Sequence, residues 1–252
     1  MPWEPILVIV MGSLRAMGVV LAWPMPGNQT MPRPVRIGLT LMLGGLLANV
    51  TPAPHDLHAQ AAPLLAVGAF HELLLGLAFG LVIRVTLSTT ALAGRLIAGE
   101  IGIIAAPGFD APVPSQEPLP TLLSFLGGIL FFTLHAHEGV LAAFARSFEL
   151  APAGLGGLNP LASETMVEAV AELLALALRM AAPFIALNFV ITFAFAILGR
   201  AVPKMNVFVV SYALRSLLGF LLLAGGGMLF ARYLSGAYER LPWLMLELVA
   251  RR

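Results

Sequence analysis

The chain of 252 residues has no cysteine. Disulfides, thiolate metal sites and thiol nucleophiles are therefore excluded. Charge is also scarce: Asp, Glu, Lys and Arg make up 11% of the residues, against about 25% in an ordinary soluble domain. A net charge of +1 gives no basic excess to suggest nucleic acid or an anionic surface. No phosphate-binding P-loop sequence occurs, so the chain carries no NTPase of its own. Two His-Glu pairs, His71-Glu72 and His137-Glu138, lack the second histidine of a zinc-protease helix, because Leu75 and Leu141 stand there. The residues thus point to no catalytic group, no metal and no cofactor.

Apolar sequence is what the chain has in excess: 59% of its residues are hydrophobic. So apolar a chain cannot cover a surface that faces water. Lipid, or other membrane subunits, must solvate much of it. A helical span needs about 20 residues, so five or six apolar segments with their turns use most of the length. The backbone can be satisfied in lipid only by helices or closed barrels, and no period-2 alternation suggests a barrel. The expected fold is an all-α membrane protein with about five to six apolar helical segments.

Apolar runs cover Ile6 to Trp23, Ile37 to Val50 and Leu64 to Ile83. The N-terminus lacks a basic signal-peptide region, so the first run is expected to stay as a span. Residues 84–106 are apolar but mixed. A run from Leu122 to Leu134 extends as helix to about Leu150. A long helix is expected from Thr165, with Thr165 and Glu168 spaced as a capping box, past Pro183 to about Gly199. The last apolar helix runs from Val207 to Phe230, before a short amphipathic C-terminus. The Pro/Gly-rich stretch 151–162 is the best internal boundary, dividing 1–160 from 161–252. Gly76 and Gly80 form a G-x-x-x-G pair, which suits close helix packing in a membrane.

Several ionisable residues fall within or beside the apolar runs: Arg15, Glu72, Arg84, Arg95, Glu100, Glu138, Arg179 and Arg215. Each costs about 2.5 to 3.5 kcal/mol at a helix centre facing lipid. Most must therefore face protein, water or each other; Arg95 with Glu100 or Glu72 is one candidate pairing. Arg84, Ser88, Ala91, Arg95, Ala98 and Gly102 form one polar or small stripe at helical spacing. Such a stripe fits a helix that lines an aqueous path or packs on another polar helix. The stretch 107–120 holds five prolines and reads as non-helical. At membrane depth it must line a wet cavity or be buried in protein. Either an ordinary loop or a plug within a pore agrees with these residues.

The order of features resembles the FliR/SctT family of type III secretion export-gate proteins. Four stretches carry the resemblance. The first is Arg15, then Pro24, then Val35-Arg36-Ile37-Gly38-Leu39. The second runs from Glu72 to Gly80 and on to Ala93-Gly94. The third is the proline-rich loop, followed by Phe131-Phe132, Arg146-Ser147-Phe148-Glu149 and Pro152. The fourth and most specific is Arg200-Ala201-Val202-Pro203-Lys204-Met205-Asn206-Val207-Phe208, where the family reads R-x-x-P-Q-x-N-V-F. Lys204 departs from the family's Gln, His135-Ala136-His137-Glu138-Gly139 from its Gly-His, and Asp110-Ala111-Pro112 from its Asp-Pro.

The resemblance, which leans flagellar, implies a non-enzymatic pore subunit of the bacterial inner membrane, multi-pass and associated with the flagellar basal body. It would help unfolded export substrates to cross. It implies a FliP-like segment over residues 1–160, a FliQ-like hairpin and tail over residues 161–252, FliP-like and FliQ-like partner subunits, and a FlhB-like protein at the cytoplasmic side. It also implies a plug loop with Pro107, Gly108, Phe109, Asp110, Pro112, Pro114 and Glu117, and a cytoplasmic gate turn of Arg200, Pro203, Lys204, Met205 and Asn206. The competing reading is an ion-coupled secondary transporter using Glu72, Glu100 or Glu138. A cytoplasmic Arg200 and Lys204 agree with the positive-inside rule, as do Arg33 and Arg36. The sides of Arg232, Arg240, Arg251 and Arg252 depend on whether 86–106 spans.

Overall fold

The computed structural model describes residues 4–24, 31–50, 62–103, 117–202 and 205–249. Among them are eight helices: α1 (Glu4–Ala22), α2 (Arg33–Val50), α3 (Ala62–Ile101), α4 (Pro118–Thr133), α5 (Ala136–Leu150), α6 (Ala162–Ala201), α7 (Val207–Gly225) and α8 (Gly227–Glu247). The all-α membrane architecture is as the composition requires. Three helices are long and apolar enough to cross a membrane: α3, α6 and α7. The bent pair α4–α5 makes a fourth if it acts as one span.

Helix ends follow local chemistry. Trp23 precedes Pro24, whose ring disfavours helical geometry at the residue before it, and α1 stops at Ala22. The mixed stretch after Ile83 is not a separate element but the second half of α3, which runs unbroken for 40 residues. At a rise of 1.5 Å per residue that is about 60 Å, twice a hydrocarbon core of about 30 Å. Counting spans by hydropathy therefore misjudges it. Gly102 stops α3 in the left-handed region (φ 84°), and the Ile103 amide donates to the Ala98 carbonyl at 2.9 Å, a Schellman closure.

Four expectations are corrected. The non-helical stretch ends earlier than 120, because Pro118 and Pro120 lie in the first turn of α4. The amides missing from proline would have no intrahelical partner at that position. Thr165 and Glu168 do not cap α6, which begins at Ala162. Instead the Asn159 side chain accepts from the Leu161 amide just upstream, at 3.1 Å. The last apolar helix breaks at Gly226 and α8 restarts at Gly227. Three successive glycines there carry the weakest helix propensity apart from proline. The α4–α5 run also bends, by 65°, at His135, which holds a left-handed φ of 57°.

The chain forms two compact units interleaved along the sequence. Unit 1 comprises Met1–Thr86, Phe131–Glu172 and Ala237–Arg252; unit 2 comprises Leu87–Leu130 and Leu173–Gly236. The division at 160/161 concerns likeness to other subunits, and compactness does not address it. The core of unit 1 sets Phe79, Phe131, Phe144, Tyr238 and Leu248 around the buried faces of α1, α3 and α5. Phe131 meets Trp23 and Tyr238 edge-on at 6.1 and 5.6 Å, the favoured aromatic geometry. In unit 2, Ile97, Ile101, Phe184, Ile191 and Phe230 are buried, and Phe184 stacks on Phe230 at 6.4 Å.

Candidate functional site

Unit 1 is organised around one ion pair. Arg15 on α1 and Glu72 on α3 are both 0% exposed. The pairing is bidentate: Arg15 Nε donates to Glu72 Oε2 at 2.6 Å and Nη2 to Oε1 at 2.8 Å. Such fork-to-fork pairs are the strongest and most directional side-chain hydrogen bonds. Arg15 Nη1 donates to Ser147 Oγ at 3.0 Å, and Nη2 to the Ala151 carbonyl at 2.9 Å. The Phe148 ring lies 3.9 Å from the guanidinium carbon, within cation–π range. On the other side, Glu72 Oε1 accepts from the amides of Gly154 at 2.9 Å and Gly156 at 3.3 Å.

The glycines in this centre are dictated by approach. A Cβ on Gly156 would lie 2.7 Å from both Arg15 Nη2 and Glu72 Oε1. Gly154 holds a φ of 82°, which few other residues adopt. Residues 151–156 are thus tied to α1 and α3 by the ion pair. The same segment continues to the C-terminus of the fold. Leu158 bridges antiparallel to Val249, and the Asn159 amide donates to the Leu248 carbonyl at 2.9 Å. Ser147 and Phe148 belong to the third of the family-like stretches; their work here is to hold Arg15.

Below this centre α1 and α3 touch backbone to backbone. A Cβ on Gly18 would fall inside the Gly76 carbonyl, and one on Gly80 would meet the Gly18 carbonyl. The G-x-x-x-G pair is therefore a helix crossing. α1 also packs on α2, where a Cβ on Gly44 would lie 2.7 Å from the Ser13 amide nitrogen.

Unit 2 holds the second polar group. Asn188 Nδ2 on α6 donates to Glu100 Oε2 on α3 at 2.5 Å. Thr192 Oγ1 donates to the Asn188 carbonyl at 2.7 Å, and accepts from Arg215 Nη2 of α7 at 3.1 Å. A narrow crevice joins Glu100, Asn188 and Arg215, with Phe184, Ile191 and Gly219 as its apolar wall. Tyr212 Oη and Ser216 Oγ of α7 donate to the Gly102 and Ile101 carbonyls at 2.9 and 3.1 Å, closing the end of α3.

The remaining sequence candidates are dispersed. Arg95 pairs with neither Glu100 nor Glu72 but with Glu117, at 3.1 Å on an exposed surface. Glu72 is already taken by Arg15. An exposed pair contributes about 0–1 kcal/mol. Arg95→Ala is accordingly expected to leave thermal stability within about 1 kcal/mol of the parent, as melting of the purified protein would show. Arg84, Arg179, Arg200 and Glu138 are exposed. Asn206 is the N-cap of α7, its side chain accepting from the Val209 amide at 3.4 Å. That gives the Asn of the 200–208 pattern a physical reason. Pro203 and Lys204 lie outside the described residues, as do Pro107, Gly108, Phe109, Asp110, Pro112 and Pro114; Glu117 lies just inside.

Apolar surface is abundant on α6 and α7. Phe189 is 71% exposed, Leu221 70% and Phe208 79%. Both helices meet the length and hydropathy of membrane spans. These features define a class: an all-α membrane protein, internally pinned by buried charge, with broad apolar outer faces. The sequence matches the family described as bacterial export proteins, family 1, over residues 6–241, and the chain belongs to that family. It is 28% identical over 216 residues to the flagellar biosynthetic protein FliR of Caulobacter vibrioides, covering 83% of this chain and 84% of that one. Against FliR of Escherichia coli K12 it is 24% identical over 238 residues, covering 94% and 90%. Against the Yop proteins translocation protein T of Yersinia pestis it is 25% identical over 232 residues, covering 87% and 85%.

Proposed function

We propose that the chain is a pore-forming subunit of the flagellar type III protein export gate, helping unfolded substrates to cross the bacterial inner membrane at the basal body. The observation that carries this is family membership over nearly the whole length, together with apolar helix faces that a lone chain leaves uncovered. The flagellar rather than the injectisome setting follows the names of the relatives and the Ser147-Phe148-Glu149-x-x-Pro152 wording. Partners on this reading are FliP-like and FliQ-like subunits in a hetero-oligomer, with a FlhB-like protein at the cytoplasmic side. Residues 1–160 are taken as FliP-like and residues 161–252 as FliQ-like. The chain works without chemistry of its own: it shapes a path and closes it.

An ion-coupled transporter is not favoured. Glu72, one of its candidate carriers, is locked by a guanidinium and two backbone amides inside unit 1.

The stretch 107–117 serves as the plug on this reading. Its prolines cannot donate to a helical ladder, so water or protein must surround it at membrane depth. A loop held by modest contacts can move aside for a substrate, which a packed helix cannot do without losing its interface. Deleting 108–116 keeps Arg95 with Glu117. The assembled complex should then form in normal amount but pass ions and small solutes, measured as conductance in cells carrying it. A deletion complex as tight as the parent would make the loop an ordinary connection. The turn Arg200 to Asn206, with Pro203, Lys204 and Met205, is proposed as the cytoplasmic gate element on the same reading.

A further inference from the structure

Arg215 lies in the middle of α7, about 12 Å along the axis from Val207. Its helix is apolar, and only 11% of its most apolar window is buried within the chain. Yet the guanidinium is poorly provided for. One hydrogen bond, from Nη2 to Thr192 Oγ1, is its sole polar contact among the described residues. Nε is shut off from solvent and has no partner among the described residues. Glu100 lines the same crevice, but its hydrogen bond is with Asn188 and it makes none with Arg215. Arg15 offers the contrast within one molecule: there every nitrogen is satisfied and a carboxylate sits on the fork.

No carboxylate among the described residues pairs with this permanent charge, which leaves room for an acceptor beyond them. Lipid phosphates lie at the membrane surface rather than half-way along an apolar helix. Large apolar side chains surround this polar spot. Phe189 and Phe193 flank Asn188 and Thr192 on the exposed side of α6. We propose that this face of the α6–α7 hairpin receives an apolar helix of a different membrane subunit, and that a carboxylate on that helix pairs with Arg215. The proposal rests on the chain being one subunit of a membrane assembly, and it names the contact that fixes the depth of its neighbour. Paired charges are the means by which apolar helices, otherwise free to slide, acquire register.

The test uses the whole complex, with a photo-crosslinking phenylalanine analogue placed at position 189. Capture should yield one membrane subunit that mass spectrometry identifies as a different chain with an acidic residue inside an apolar helix. Arg215→Leu should lower that capture at least about tenfold, the scale of truncating one member of a buried charge pair. Thr192→Val removes the one hydrogen bond that Arg215 makes among the described residues and should leave capture intact; a purely internal role predicts loss in both variants. Charge reversal of the captured acid together with Arg215→Asp should restore capture. Capture of lipid alone, capture of a second copy of this chain, or capture that Arg215→Leu does not change would each overturn the proposal. Conductance after loop deletion tests the export reading separately, so the two failures can be told apart.

Discussion

Glu72→Ala is expected to remove most of the folded chain from the membrane. The substitution leaves the Arg15 guanidinium fully buried without its counter-charge, and it also orphans the amides of Gly154 and Gly156. Breaking a buried pair from one side costs about 3–5 kcal/mol. Against a total stability of about 5–15 kcal/mol that is a large share. Arg15→Ala should do comparable damage, because Ser147 and the Ala151 carbonyl lose their donor along with Glu72. The apolar double replacement Arg15→Met with Glu72→Leu should recover only a fraction of the loss. It removes both charges, but the Ala151 carbonyl and the two glycine amides stay without partners. The exchanged pair, Arg15→Glu with Glu72→Arg, should fail as badly as the single variants. A carboxylate at 15 cannot donate to the Ala151 carbonyl, and a guanidinium at 72 cannot accept from glycine amides. The amount of monodisperse protein after detergent extraction, and its melting temperature, would check this. An exchanged pair as stable as the parent would mean that Coulomb attraction alone holds the centre and that the backbone contacts are incidental.

That centre shows what could be read in advance and what could not. Arg15 and Glu72 stand out in the sequence because charge in an apolar run demands an explanation. The partner of each could not be read, because 57 positions separate them and the crossing of α1 over α3 decides the match. Arg95 with Glu100 or Glu72 is the pairing the sequence offers, but helical periodicity reports one helix face and not which helix lies opposite. The same limit hid Asn188 and Thr192, ordinary residues in an apolar helix until Glu100 and Arg215 are placed beside them. Segment existence was legible from apolar runs. The boundaries that moved were those where one local signal competed with another. Prolines read as helix breakers at 118 and 120 serve as a helix start, and the helix expected from Thr165 begins at Ala162, behind a turn in which Asn159 accepts from the Leu161 amide. The 151–162 stretch was legible as a break in helix. Its glycines do further work, presenting amides to a carboxylate, and composition alone cannot show that.

Gly18→Val should be the most damaging single change outside the ion pair. Any Cβ at Gly18 would overlap the Gly76 carbonyl carbon and oxygen, and also lie 2.6 Å from the Leu77 amide nitrogen. The obstacle is backbone in the middle of a helix, so no rotamer change relieves it. α1 and α3 must separate, and the separation reaches Arg15, one turn away on α1, and Glu72, one turn away on α3. Over-packing costs about 1–3 kcal/mol where side chains can shift. Here the ion pair would stretch as well, adding some of the cost of breaking it, so the combined loss should approach that of Glu72→Ala. Gly38→Val on α2 provides the comparison, since a Cβ there has nothing within 4 Å. It should change stability by no more than about 0.5 kcal/mol, because valine's better helix propensity opposes any lost packing. Gly18→Ala tests the reason. If backbone approach is what matters, alanine should be nearly as harmful as valine, whereas a loosely packed crossing would accept a methyl group. Extracted yield and melting temperature of the three variants would separate these outcomes. A Gly18→Ala protein that melts with the parent would show that α1 and α3 do not cross at backbone contact.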